Sequence, residues 1–167
     1  MKKLMNYACL FAGILLLQGC WGHDDESDPW AGSNYYAEII TRAELESSVQ
    51  AQPQQTIVEA GKIYIKDNLM FINDVNKGFH VYNYSDPQNP VRTGFIKIPG
   101  ATDLAVRDNV IFINQAVDLV TIVYDPVMNT IVSLHRNRNV FPQKISPQGY
   151  SANPNNDDVV IDWIPNS

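Results

Sequence analysis

The residues able to do chemistry are few. The histidines are His23, His80 and His135, and no two of them stand at a spacing that would bring both to one metal ion. Four aspartates, Asp67, Asp74, Asp108 and Asp118, could gather into an acidic rim and work as the paired carboxylates of a glycosidase. Asp67 and Asp108 already have a turn to explain them. The thiols are Cys9 and Cys20. No Gly-x-Ser-x-Gly elbow, phosphate loop or dinucleotide fingerprint occurs, so neither a nucleophile with its base nor a cofactor is expected. Tyr82, Tyr84 and Tyr124 are a better lead as a binding surface, because tyrosine offers apolar area and a polar tip to a sugar or to a partner's pocket. Arg136 and Arg138 are candidates to meet a polar partner.

These residues are carried by a pattern written twice. Ile65-Lys66-Asp67-Asn68-Leu69-Met70-Phe71-Ile72-Asn73 aligns residue for residue with Val106-Arg107-Asp108-Asn109-Val110-Ile111-Phe112-Ile113-Asn114. Each Asp-Asn pair suits the centre of a two-residue type I′ hairpin, since both residue types tolerate positive φ. A third strand is expected at Gly78 to Tyr84 and again at Leu119 to Tyr124. An Asp-Pro turn follows at Asp86-Pro87 or Asp125-Pro126, and a fourth strand comes after it. The hairpins recur 41 positions apart and the Asp-Pro turns 39 apart, a period that belongs to propeller or solenoid repeats. Leu69 to Ile72 and Val110 to Ile113 are apolar at successive positions, so both faces of these strands call for burial, as in blades stacked between neighbours. The fold class expected is all-β: two four-stranded, blade-like antiparallel units at about 62–98 and 102–135, one short helix, and a C-terminal edge strand.

Outside the repeats, Tyr35 to Ile40 reads as a short strand. Thr41 stands three residues before Glu44, the capping-box spacing, and a helix over about Arg42 to Gln50 should follow. Gln50 to Gln55, with Pro53, reads as the segment that ends it. After Leu134 the chain reads as a long loop, and Val159 to Ile164 as a strand able to pair on an open sheet edge. Two units alone leave open edges, which template further pairing unless covered. If the Tyr35 strand, the helix and the Val159 strand supply the covers, a monomer is expected.

Lys2 and Lys3 followed by the apolar run Tyr7 to Leu17 have the n-region and h-region of a secretory signal, too short to span a membrane. Leu17-Gln18-Gly19-Cys20 resembles the bacterial lipoprotein signal, which implies removal of 1–19 and acylation of Cys20. Each buried CH₂ contributes about 0.8 kcal/mol, so two or more chains anchor stably where one is marginal. By the same resemblance, Trp21 rather than Asp after the cysteine directs the protein to the outer membrane. Cleavage would leave ten of the 12 basic residues against all 18 acidic ones, a net near −8 and the opposite of a phosphate-binding surface, so no nucleic-acid partner is expected. Residues 20–34, with Asp24-Asp25-Glu26-Ser27-Asp28, read as an acidic tether. That cluster offers carboxylates to Ca²⁺ but lacks the glycine and distal glutamate of an EF-hand loop. The β domain is expected over 35–167.

The piece Gly78-Phe79-His80-Val81-Tyr82-Asn83-Tyr84-Ser85-Asp86-Pro87-Gln88-Asn89-Pro90-Val91 resembles the unit of the LVIVD-repeat family, and Leu119 to Pro126 a degenerate second unit. Asn83 stands where that family's unit has Asp. The resemblance implies exported proteins whose repeats form β-propellers, with no shared catalytic residues. The function expected is a non-catalytic, outer-membrane-anchored binding or structural module of the envelope with a protein or glycan partner. Two alternatives stand beside it: an envelope enzyme acting on glycans through the acidic rim, and a truncated relative of a longer LVIVD-repeat protein.

Overall fold

The computed structural model describes residues 34–152, 154 and 157–166. The signal segment 1–19, Cys20, Trp21, His23 and the tether as far as residue 33 lie outside the described residues. The described chain is mostly antiparallel β-sheet with one short helix. Both repeats form as four-stranded meanders. The first is β3 (Ala60–Lys66), β4 (Leu69–Asp74), β5 (Gly78–Asn83) and β6 (Val91–Lys97); the second is β7 (Ala101–Arg107), β8 (Val110–Gln115), β9 (Asp118–Asp125) and β10 (Thr130–Asn137). No closed barrel or propeller is formed among the described residues.

Local chemistry sets the turns. Lys66 pairs with Leu69, and Arg107 with Val110, so each Asp-Asn pair is a two-residue hairpin loop. Asp67 and Asp108 take positive φ, 53° and 55°. Asn68 and Asn109 do not share it, so the type I′ geometry expected from the pair, which needs positive φ at both centres, is not the one adopted. At the Asp-Pro turns the aspartate fixes the bend: Gln88 N donates to Asp86 Oδ1 at 3.0 Å, and Val127 N and Met128 N donate to Asp125 Oδ1 at 2.8 and 3.1 Å. The fourth strand of the second repeat runs on to Asn137, so Arg136, expected in the loop after Leu134, is a strand residue.

Three expectations about the flanking segments are corrected. Gln50–Gln52 is not a linker but β2, which pairs with β6 and makes the first sheet five-stranded, in the order β2-β6-β5-β4-β3. The C-terminal strand, β11 (Val159–Pro165), pairs with β1 (Tyr35–Ile40) in a separate two-stranded sheet and covers no edge of either repeat. The expectation of a monomer rested on those covers, and the strand pairing removes its basis. The helix α1 (Arg42–Ser47) has the predicted capping box, with Thr41 and Glu44 each bonded to the other's backbone amide. It ends earlier than predicted, where Ser48 Oγ donates to Leu45 O at 2.7 Å and the chain turns into β2.

The main core lies between the two repeat sheets. Phe71, Phe79 and Val81 of the first pack with Leu104, Ile111, Ile113, Val120 and Ile122 of the second. A smaller cluster joins Leu45 of α1 to Ala116 and Val117 of the β8–β9 turn and to Val159 and Ile161 of β11. Beside it, Asp118 is fully buried and accepts from Arg42 Nη1 at 2.7 Å, Arg136 Nη1 at 2.8 Å and Asn139 N at 3.0 Å. Replacing Asp118 with Ala leaves two guanidinium groups desolvated without their counterion, and should destabilise the fold by roughly 3 to 5 kcal/mol. Arg138→Ala removes only the exposed pair with Glu46 and should cost far less. Urea unfolding of both variants checks this, and equal losses would refute the difference in burial on which it rests.

Candidate functional site

Because the two hairpins recur in register, their tips arrive side by side at one end of the stacked sheets. Between them opens a cleft of about 520 Å³. Phe71 and Ile111 form its floor with Tyr124, and Asp67, Asn68, Asp108 and Asn109 stand on its rim. The chemistry is an apolar base edged by amides and carboxylates, suited to a ligand with one apolar face and hydroxyl or amide groups around it.

Of the three tyrosines, the structure brings Tyr124 alone to this cleft. It is buried, its hydroxyl donates to Asn129 Oδ1 at 2.7 Å, and burial, with the Asp125 charge adding, pushes its phenol up to about 12. It is therefore a neutral donor at any physiological pH. Tyr82 is half-buried on the other face of the first sheet, where its oxygen accepts from Arg92 Nε at 3.0 Å and the guanidinium lies 5.3 Å from its ring centroid. Tyr84 is half-buried beyond the end of β5, with its amide donating to Asn68 O at 2.8 Å. The exposed tyrosine cluster expected from sequence is therefore not formed. Arg136 and Arg138 are likewise engaged inside the chain, Arg136 by buried Asp118 and Arg138 by Glu46 with Nε 2.7 Å from Oε1.

The four aspartates do not make a rim. Asp67 and Asp108 sit at the hairpin tips, whereas Asp74 ends β4 and Asp118 opens β9 opposite Gln115 at the far end of β8, on the order of 20 Å away at about 3.3 Å per residue. Asp74 is a structural clip. Val58 N and Glu59 N donate to its two oxygens at 3.0 and 2.9 Å, and His80 Nε2 lies 3.0 Å from Oδ2. Burial works to raise the Asp74 carboxyl, but these donors outweigh it and hold the group below its ordinary value. Asp118 is the same case, with Asn139 N, Arg136 and Arg42 prevailing over burial. His80 is fully buried against Phe95. His135 is exposed, 3.0 Å from Asn137 Oδ1. Among the described residues no group of three or more His, Cys, Asp or Glu is placed to hold a metal ion.

One half-buried charge gave no signal in the sequence. Lys144 lies in the loop before β11, where its amine donates to Asn76 Oδ1 and to Ile161 O, and Asn76 in turn donates to Asp162. Trp163 Nε1 closes the group on Lys144 O at 3.2 Å. Nothing in a Pro- and Ser-containing loop marks a lysine as half-buried, since the partners are distant in sequence. Comparison with protein-family models, with curated proteins and with solved structures yields no match.

Burial depresses the Lys144 amine to about 8 from 10.5, against the opposing pull of Asp162. Between those two values the unfolded chain binds the extra proton, so stability rises with pH across the window. Tyr124 acts in the opposite sense above pH 10, where only the unfolded phenol ionises. Wild-type protein should gain about 2 kcal/mol between pH 8 and pH 10, and Lys144→Met should lose that rise. Urea midpoints at the two pH values measure it, and an identical rise in the variant would assign the effect elsewhere.

Proposed function

We propose that this chain is a lipid-anchored module of the outer membrane, built from two propeller-blade units and acting by binding rather than by catalysis. The observation that carries the anchor is Leu17-Gln18-Gly19-Cys20 after a basic and apolar leader, with Cys20 the only cysteine beyond that leader. Two or more acyl chains at one terminus hold a protein on a bilayer without a spanning segment. No helix among the described residues is long and apolar enough to cross a membrane.

Several features support the blade reading. Each repeat is a four-stranded meander, the two stack face to face, and the first strands, β3 and β7, lie next to one another as inner strands of neighbouring blades do. The likeness of Gly78 to Val91 to an LVIVD unit agrees with it. The cleft at the hairpin tips supports a binding role: its floor is apolar, and a glycan or a peptide with polar edges fits its amide and carboxylate rim. The enzyme reading loses its geometry, because the aspartates it needs are split between two ends of the molecule and two of them hold the fold.

Labelled palmitate should enter the wild-type protein, and a Cys20→Ser variant should take up none and appear in the soluble envelope fraction. Incorporation that persists in that variant would defeat the anchor. Incubated with envelope glycans, the protein should bind without turnover; turnover abolished by Asp67→Asn or Asp108→Asn would restore the enzyme reading.

A further inference from the structure

The two repeats are alike in sequence and unlike in burial, and the difference follows a rule. With Asp67 aligned on Asp108, Ile63 and Ile65 of β3 correspond to Leu104 and Val106 of β7, and the strand registers agree, Ile63 facing Ile72 as Leu104 faces Ile113. Leu104 is 5% exposed in the core between the sheets, with Val106 packed against it. Ile63 and Ile65, on the same face of the first sheet, are 60% and 53% exposed. The opposite faces reverse the relation. Tyr64 and Phe71 of the first sheet enter the core, whereas their counterparts Ala105 and Phe112 stand exposed and half-exposed on the outside of the second. Each sheet thus has a front and a back, and the chain buries the front of the first on the back of the second. One back and one front remain.

Charge repeats the pattern. Lys62 corresponds to Asp103, and within the chain these two form an ion pair at 2.6 Å along the inner strands. A second copy whose first sheet continued the stack would bring its own Lys62 to Asp103 of this one. Asn73, at the sheet junction, donates to Gly78 O at 3.1 Å and reaches Ala101 O of the next sheet at 3.5 Å. Its counterpart Asn114 has a buried side-chain oxygen without a hydrogen-bond partner.

We infer that the chain self-assembles head to tail, the outer face of β7–β8–β9 in one copy receiving the Ile63–Ile65 face of the next. The contact is heterologous, so it ends only by closing a ring. Propellers close with four to eight blades, which for two sheets per chain means roughly two to four copies. Residues 53–59 run across the back face from β6, where Arg92 holds Gln55 O, to the end of β4, where Asp74 holds the amides of Val58 and Glu59, but they leave Ile63 and Ile65 uncovered. The contact therefore follows the inner strands. Ala105, Leu119 and Thr121 are smaller than the Tyr64, Phe79 and Val81 they replace, so copies exchange more readily than the two sheets of one chain separate.

The inference rests on strand register and stands whether or not Cys20 carries lipid. Native mass spectrometry and sedimentation of the full-length protein in detergent, over a concentration series, test it. Wild type should give one discrete oligomer. Ile65→Asp blocks the back and Ala105→Arg the front; both positions are exposed, so neither variant disturbs the core, and circular dichroism verifies folding. Each variant alone should be monomeric, and an equimolar mixture should form a heterodimer through the one intact back and front. Sharing of a micelle through the anchor is the same in all samples and cannot produce this pattern. A wild-type monomer at every concentration, an oligomer indifferent to both variants, or a dimer that survives in Ile65→Asp would overturn the proposal.

Discussion

Two buried carboxylates, Asp74 at the end of β4 and Asp118 at the start of β9, decide how the rest of the chain is tied to the repeats. Asp118 holds Arg42 of the helix, Arg136 of β10 and the amide of Asn139, so three segments distant in sequence meet on one residue. Ionised Asp118 needs those donors once it is out of water, and the donors need it equally. With Arg42 fixed, Leu45 falls onto Ala116 and Val117, and that small cluster seats β11 and, through its pairing, β1. Asp74 does the corresponding work in the first repeat, where it captures the amides of Val58 and Glu59 and so sets where the incoming chain crosses the sheet. In the aligned position of the second repeat stands Gln115, whose amide donates to Ser48 Oγ at 3.1 Å and to Leu45 O at 3.5 Å. One position in the repeat thus docks the chain that precedes it, by a charge in one case and an amide in the other.

What could be read from sequence was what depends on near neighbours. The Asp-Asn hairpins, the Asp-Pro turns and the Thr41 capping box each complete themselves within four residues, and all form where the spacing puts them. The strand content of both repeats was legible because eight apolar runs alternate with turn residues at a fixed period. The pairing of the flanking segments was not. Gln50 to Gln52 has neither apolar alternation nor β-branched residues, and becomes a strand only because β6 presents an unpaired edge. Val159 to Ile164 was recognisable as a strand, but a strand pattern does not name its partner, and Tyr35 to Ile40 was as available as any sheet edge.

The candidate site divides along the same line. The convergence of Asp67 and Asp108 at one cleft follows from the repeat, because equal units stacked in register must bring equal positions together. The tyrosines mislead for a related reason. Tyr82 and Tyr124 lie on the same kind of face, Tyr82 opposite Met70 and Tyr124 on the side of Ile122, yet that face is the outside of the first sheet and the buried side of the second, so only Tyr124 meets the cleft. His80 and Lys144 were opaque because burial is a property of what lies above a residue, and the covering segment of each comes from elsewhere in the chain.

Runs such as Val110-Ile111-Phe112-Ile113 ask for burial on both faces, and in the first repeat the corresponding strand nearly has it, with Phe71 under the second sheet and Met70 8% exposed on the other side. In the second repeat Ile111 and Ile113 are buried while Val110 and Phe112 stay half-exposed. No local property separates these two strands; they differ in having or lacking a neighbour. At about 25 cal/mol per Å² of apolar surface removed from water, a second neighbour on Phe112 and on Ile63 and Ile65 would contribute a few kcal/mol, comparable with the margin by which a small domain is stable. The same sequence that specifies each repeat sheet therefore leaves a residual demand at the ends of the stack. A repeat that defines one interface between its copies defines, by the same residues, the interface it lacks.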